Sequence, residues 1–217
     1  IRKYCGINPI RLQINGQETL SNTNGLDFKK FLKYIYKHFE VDYPKYFKMD
    51  GLSKLGFLSI EVLLRNESII HKYPTEKTGL ILTNASSSLE VDEKHFNTIM
   101  DRKNYFPSPS NFVYTLPNIM AGEAAIRHGM KGENTVLISE SFDPDLITNA
   151  CSEAFSSGLI NCCICGWVEH YANNYESLLF IVEEEDDNIE SKHSGEDVIF
   201  ESSNLLKIYK QHTQWKN

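Results

Sequence analysis

The chain has 217 residues, 41% of them apolar and 24% charged, which is enough for one substantial core and ordinary for a globular protein. Its net charge of −7 argues against a general nucleic-acid or anionic-membrane surface, and no apolar run reaches the length of a membrane span. The opening stretch, IRKYCGINPIRLQING, lacks the apolar core and small-residue cleavage site of a secretion signal, so a cytoplasmic protein is expected.

In chain order, KYCGINPIRLQI reads as a strand. Helical spacing follows in LDFKKFLKYIYKHF, where Phe28, Phe31, Leu32, Ile35 and Phe39 share a face. A second helix is predicted over SKLGFLSIEVLLRN, apolar over a wide arc through Leu55, Leu58, Ile60, Val62 and Leu63. TGLILTNA (78–85) is short, apolar and bounded by turn residues, so it reads as a buried strand. A helix with Val91, His95, Phe96 and Ile99 on one side follows it. The segment NYFPSPSNFVYTLPN, rich in Pro, Ser and aromatics, is expected to be an irregular loop. It leads into LPNIMAGEAAIRHGM, a helix whose small residues let another backbone approach closely and which ends at Gly129 and Gly132. The next stretch, TVLISESFDPDLITNACSEAFSSG, reads as a strand (135–139), a sharp turn and a helix announced by Asp143-Pro144-Asp145. Two more strands, NCCICGWVEH and SLLFIVEEE (177–185), and an amphipathic helix in FESSNLLKIYKQHT complete the chain.

Strands alternating with helices imply an α/β layer architecture: a mixed, mostly parallel five-stranded sheet covered by helices on both faces. The last two strands leave no room for a crossover helix, so the final one is expected to be antiparallel. A single domain over residues 1–217 is expected, with a core at about 3–185 and a C-terminal helical tail at about 186–217.

The five cysteines are Cys5, Cys151, Cys162, Cys163 and Cys165. Their odd count and the packed CCIC do not resemble a disulfide framework. Cys162 and Cys163 point to opposite faces of a strand, so buried, reduced thiols are expected and neither a metal nor a cofactor is. The acidic run Glu183–Asp187 reads as a solvated turn.

The turn Ile138-Ser139-Glu140-Ser141-Phe142 is the most chemically suggestive feature. A helix amino terminus stabilises developing negative charge, and strand-turn-helix units often present a nucleophile there. Ser141 has no obvious base beside it, Glu140 serving as one only in a geometry that the sequence does not define, and the Gly-x-Ser-x-Gly flank of a hydrolase elbow is absent. Of the seven histidines (His38, His71, His95, His128, His170, His193 and His212), His170 is the topological candidate, because it ends the strand that neighbours the elbow strand. Ser141 reads as a turn or N-cap residue sooner than as a nucleophile.

From Phe112 to Glu169 the chain resembles the first half of the β-ketoacyl-acyl-carrier-protein synthases, which have the thiolase-like fold. The resemblance rests on Asn118, Ala121-Gly122, Gly129, Gly132, the strand 135–139, the elbow, Gly158 and the closing Gly166-Trp167-Val168-Glu169. It is weaker before residue 78 and absent after about 190. Counted on this pattern, the family's nucleophilic cysteine falls on Ser141. Serine lacks a thiol's acidity, and the family's histidines lie in a second half of the fold that this sequence does not contain.

The resemblance implies a thiolase-like half-fold and a short, cysteine-less relative of the chain length factors, like those of aryl polyene and flexirubin-type pathways. Such a non-catalytic subunit pairs with a full-length ketosynthase in fatty-acid or polyketide (polyene) biosynthesis, a homodimer being the alternative assembly. The implied dimer and acyl-tunnel positions are Asn111, Phe112, Tyr114, Leu116 and Pro117 in the loop, and Val136 and Ile138 in the strand. Acyl carrier proteins are acidic, so an acidic subunit is expected to meet one only indirectly, through its partner. A stand-alone acyltransferase or thioesterase using Ser141 is the alternative function.

Overall fold

The chain begins with an antiparallel meander: β1 (Lys3–Asn8), β2 (Arg11–Ile14) and β3 (Gln17–Ser21). A computed structural model describes residues 1–103, 105–184 and 198–216, the side chains of residues 70 and 71 excepted. Glu185 to Asp187 of the acidic run, His193 and the first part of the C-terminal tail lie outside them. Asn15 and Gly16 both adopt positive φ (50° and 77°), the two-residue hairpin geometry that Asn-Gly favours.

Helices α1 (Phe28–His38), α2 (Gly51–Leu64) and the short α3 (Ile69–Lys72) precede strand β4 (Thr78–Asn84). Then come α4 (Leu89–Ile99), α5 (Pro109–Val113), α6 (Ile119–His128), β5 (Asn134–Ile138) and α7 (Pro144–Ser156). Strands β6 (Cys162–Tyr171) and β7 (Asn174–Glu183) and helix α8 (Ser202–His212) follow. The segment expected to be an irregular loop thus carries one short helix, started by Pro109 and capped by the Ser108 side chain.

The strand order is β3-β2-β1-β7-β6-β4-β5. The α/β arrangement, the parallel β4, β5 and β6, and the antiparallel final strand are as expected. The sheet is wider than the five strands anticipated, with seven, and it is parallel only across β4–β5 and β4–β6. Both differences come from the amino terminus. The stretch read as one strand folds back at Pro9, the Asn15-Gly16 turn adds a third strand, and β1 then joins β7 antiparallel.

Each face of the sheet carries its own apolar core. On one face, α2 buries Leu55, Phe57, Leu58, Ile60, Val62 and Leu63 against the sheet, α1 and α6. This nearly all-apolar helix is what a two-sided burial demands. On the other face, α7 and α8 cover Cys163, Cys165, Trp167, Leu178 and Phe180 with Ile147, Cys151, Leu205 and Ile208. No helix among the described residues is long and apolar enough to cross a membrane.

Gly166 holds the middle of the sheet together. Its φ is 139°, and a Cβ there would lie 2.2 Å from the carbonyl oxygen of Leu178, so only glycine lets β6 and β7 approach so closely. Three residues on, the Glu169 carboxylate accepts hydrogen bonds from the backbone N–H groups of Ala85 (2.8 Å) and Ser86 (3.1 Å), pinning the chain as it leaves β4. The Gly-x-x-Glu pattern therefore has a structural reason within this chain.

Candidate functional site

The parallel strands end together, and the elbow sits at that end. Ser139 continues the ladder by donating its N–H to Asn84 O (3.0 Å). Its hydroxyl then donates to Ser141 O (2.7 Å), closing the turn. Asp143 is the N-cap of α7, accepting from the Leu146 N–H (2.9 Å), with Pro144 in the first helical turn. Between them, Phe142 is buried and stacks on Tyr209 of α8 (4.1 Å, 7° between planes). Ser141 is a solvent-exposed turn residue, and among the described residues no histidine or carboxylate hydrogen-bonds its hydroxyl. Beside it, Asn84 is fully buried with both side-chain polar atoms unpaired.

Strand β5 is one of the two outer strands of the sheet, with one ladder edge free of partners among the described residues. Ile138 at its end is 54% accessible and Ile126 on the adjoining α6 73%; Phe112 of α5 and Leu116 just after it are also exposed, at 59% and 51%. A free strand edge flanked by such side chains is a pairing template unless something covers it.

A polar cleft of about 430 Å³ opens elsewhere at this end, lined among others by Asp50, Lys54, Glu90, Asn111, Tyr114 and His170. His170 is buried, stacked on Phe28 (4.2 Å) and seated on Gly51, where a Cβ would come within 2.3 Å of its ring. Its Nδ1 lies 2.7 Å from Glu90 Oε2. Burial pushes its pKa below the ordinary imidazole value, against the opposing pull of Glu90 and Asp50. Asp50 caps α2 by accepting from Leu52 N–H (3.0 Å) and Ser53 N–H (3.2 Å), and burial raises its pKa. The Tyr114 phenol is pushed up to about 12 by burial and by the nearby Glu123 and Asp50 carboxylates. Ser141 is not among the residues lining the cleft.

The residues singled out from sequence therefore separate into groups. Phe112, Leu116, Pro117 and Ile138 are exposed. Asn111 and Tyr114 turn into the polar cleft, and Val136 packs against the core under α2. His170, the topological candidate for a base, faces Glu90 rather than the elbow. Two clusters carried no signal in the sequence. Asp50, Glu90 and His170 meet from segments far apart in the chain. Cys151 on α7 joins Cys163 and Cys165 on β6, the three sulfurs lying within 4.8 Å of one another.

No family model matches the chain, and no curated protein matches it. Solved structures do. The ishigamide ketosynthase/chain length factor superposes with a TM-score of 0.63 at 16% identity, covering 88% of this chain and 63% of that one. A β-ketoacyl synthase from Burkholderia phymatum gives 0.57 at 12% identity, over 85% of this chain and 58% of that one. The ketosynthase ApeO in complex with its chain length factor ApeC, from Xenorhabdus doucetiae, gives 0.53 at 12% identity, over 85% and 78%. The fold is thus the thiolase-like fold of the ketosynthases. This chain spans less than two thirds of the length of the ishigamide protein.

Proposed function

We infer that the chain is a non-catalytic ketosynthase-like subunit of the chain-length-factor type. It pairs through the β5 edge with a full-length β-ketoacyl-acyl-carrier-protein synthase in fatty-acid or polyketide assembly. The observation that carries this reading is the contrast at the elbow: the strand-turn-helix is intact, yet among the described residues no general base hydrogen-bonds Ser141 and nothing pairs with the outer edge of β5, whose Ile138 is exposed. A serine without a base is a poor acyl acceptor, whereas an uncovered apolar edge calls for a partner. The ishigamide and ApeO–ApeC structures, each a ketosynthase with a chain length factor, support the choice of partner.

In this arrangement Asn111 to Pro117, with Val136 and Ile138, form this chain's share of the contact and of the acyl tunnel wall, and Phe112 and Leu116 limit the space for the growing chain. The carrier protein docks on the catalytic partner, because an acidic chain of net charge −7 repels it. Five buried, reduced cysteines fit a cytoplasmic setting. The test is co-expression with the full-length ketosynthase of the same source. A stable hetero-complex is expected, with affinity falling by on the order of tenfold or more in Ile138→Lys, because a buried, unpaired charge is costly at an interface. Incubation with acyl-thioesters leaves Ser141 unmodified. An acyl-serine adduct lost in Ser141→Ala, or a lone monomer in the presence of the ketosynthase, would overturn the reading.

A further inference from the structure

Cys163 and Cys165 are two residues apart on β6 and so face the same side of the sheet, where α7 brings Cys151 over them. Cys151 Sγ and Cys163 Sγ are 4.0 Å apart, and all three sulfurs lie within 4.8 Å of one another. All three residues are fully buried, among apolar side chains that include Ile147, Ala154, Ile160 and Phe180. No fourth His, Cys, Asp or Glu joins the group among the described residues.

We propose that Cys151, Cys163 and Cys165 form a three-thiol binding site for a trivalent thiophilic ion of the arsenic(III) class. Three sulfurs held about 2.3 Å from one centre sit roughly 3.3 to 4.0 Å apart, so closure around an ion requires a sulfur movement of about 1 Å or less. Charge selects the ion. Three thiolates around zinc leave one net negative charge, and around copper(I) two, in an apolar pocket with no fourth ligand among the described residues. Around a trivalent centre the complex is neutral. Delivery also fits, because arsenous acid is itself small and uncharged. The exchange balances: As(OH)₃ and three thiols give As(S–Cys)₃ and three waters. Three As–O and three S–H bonds break, three As–S and three O–H bonds form, and no oxidation state changes.

Cys162 is the internal control. It lies on the same strand but faces the opposite core, under α2. Sodium arsenite titrated into the folded, full chain, kept reduced with a thiol-free phosphine, is expected to give one bound arsenic in native mass spectra. The thermal midpoint rises with arsenite concentration, as binding to the folded state requires. Arsenic-edge X-ray absorption on the unaltered protein reads three sulfur neighbours. Cys151→Ser lowers the affinity by a factor on the order of 100, and Cys162→Ser leaves it unchanged. Three results would each overturn the proposal: no arsenic on the folded chain, two sulfur neighbours instead of three, or equal losses in the Cys151 and Cys162 variants. Tighter binding of zinc than of arsenite would overturn the charge argument with it.

Discussion

The sheet face beneath α7 is covered by the chain's own helices, whereas the sheet edge at β5 is covered by none of the described residues. On the α7 side, α8 lays Leu205 and Ile208 into the second core. Tyr209 stacks on Phe142 and donates to Glu176 Oε1 (2.8 Å), which also accepts from Trp167 Nε1 (3.1 Å). The other Glu176 oxygen is paired with Lys216 (2.7 Å). Beyond this cover α7 turns Asp145, Asn149, Ser152 and Glu153 to solvent, so it is an amphipathic surface helix and needs nothing further packed on it. At β5 no segment of the described chain performs that service, and apolar side chains stay exposed around a free ladder edge. One side of a sheet can thus be closed by the chain's own tail while the described residues leave the edge on the other side uncovered.

That contrast is sharpened by substitutions on each side. The largest effect is expected from Leu205→Ala, which empties a fully buried site under α8 and should cost about 2 to 5 kcal/mol in urea unfolding. A change under about 1 kcal/mol would mean that α8 is not part of the core. The tail is also pH-sensitive through His212, which is fully buried, 2.9 Å from Gln13 Nε2, with its carbonyl accepting from Asn8 Nδ2 (3.1 Å). Burial, reinforced by Arg11 and Lys216, lowers its pKa to about 3. The unfolded chain takes up this proton near pH 6.5 and the folded chain does not, so the stabilisation is complete above about 6.5. It is lost as the pH falls from there toward 3, at up to about 1.4 kcal/mol per pH unit. Urea midpoints measured between pH 7 and 4 should fall less steeply in His212→Gln than in the unaltered chain.

Smaller still is Asp143→Ala, which removes the cap of α7 at a cost of about 1 kcal/mol, again read from unfolding midpoints. The smallest effect belongs to the open edge: Ile138→Lys should leave the stability of the isolated chain within about 0.5 kcal/mol of the original. If it destabilises as Leu205→Ala does, the edge is part of the core and not a docking surface.

Much of this was legible in the residues. The periodicities of α1 and α2, the apolar run of β4, the Asp143-Pro144 start of α7 and the amphipathic tail helix all lie where local pattern puts them, because each buries a face written into consecutive residues. The Asn15-Gly16 turn has the hairpin signal, but the strands beside it are short and lack clean alternation, so local pattern predicts one strand over KYCGINPIRLQI and none at β3. Local pattern could not show which of the elbow's neighbours would supply chemistry. His170 is not brought next to the elbow strand: β4 lies between β6 and β5, and the close fit of His170 on Gly51 and its approach to Glu90 direct the ring away from the elbow. Spacing also could not show that Cys151 lands over Cys163 and Cys165, since that meeting depends on how α7 crosses the sheet. The sequence by itself determined the order of elements, the elbow and the serine at its tip, because these depend on near neighbours along the chain. Only the tertiary structure decided which apolar face the tail would cover and which edge would stay uncovered among the described residues, because both depend on residues brought together from opposite ends of the chain.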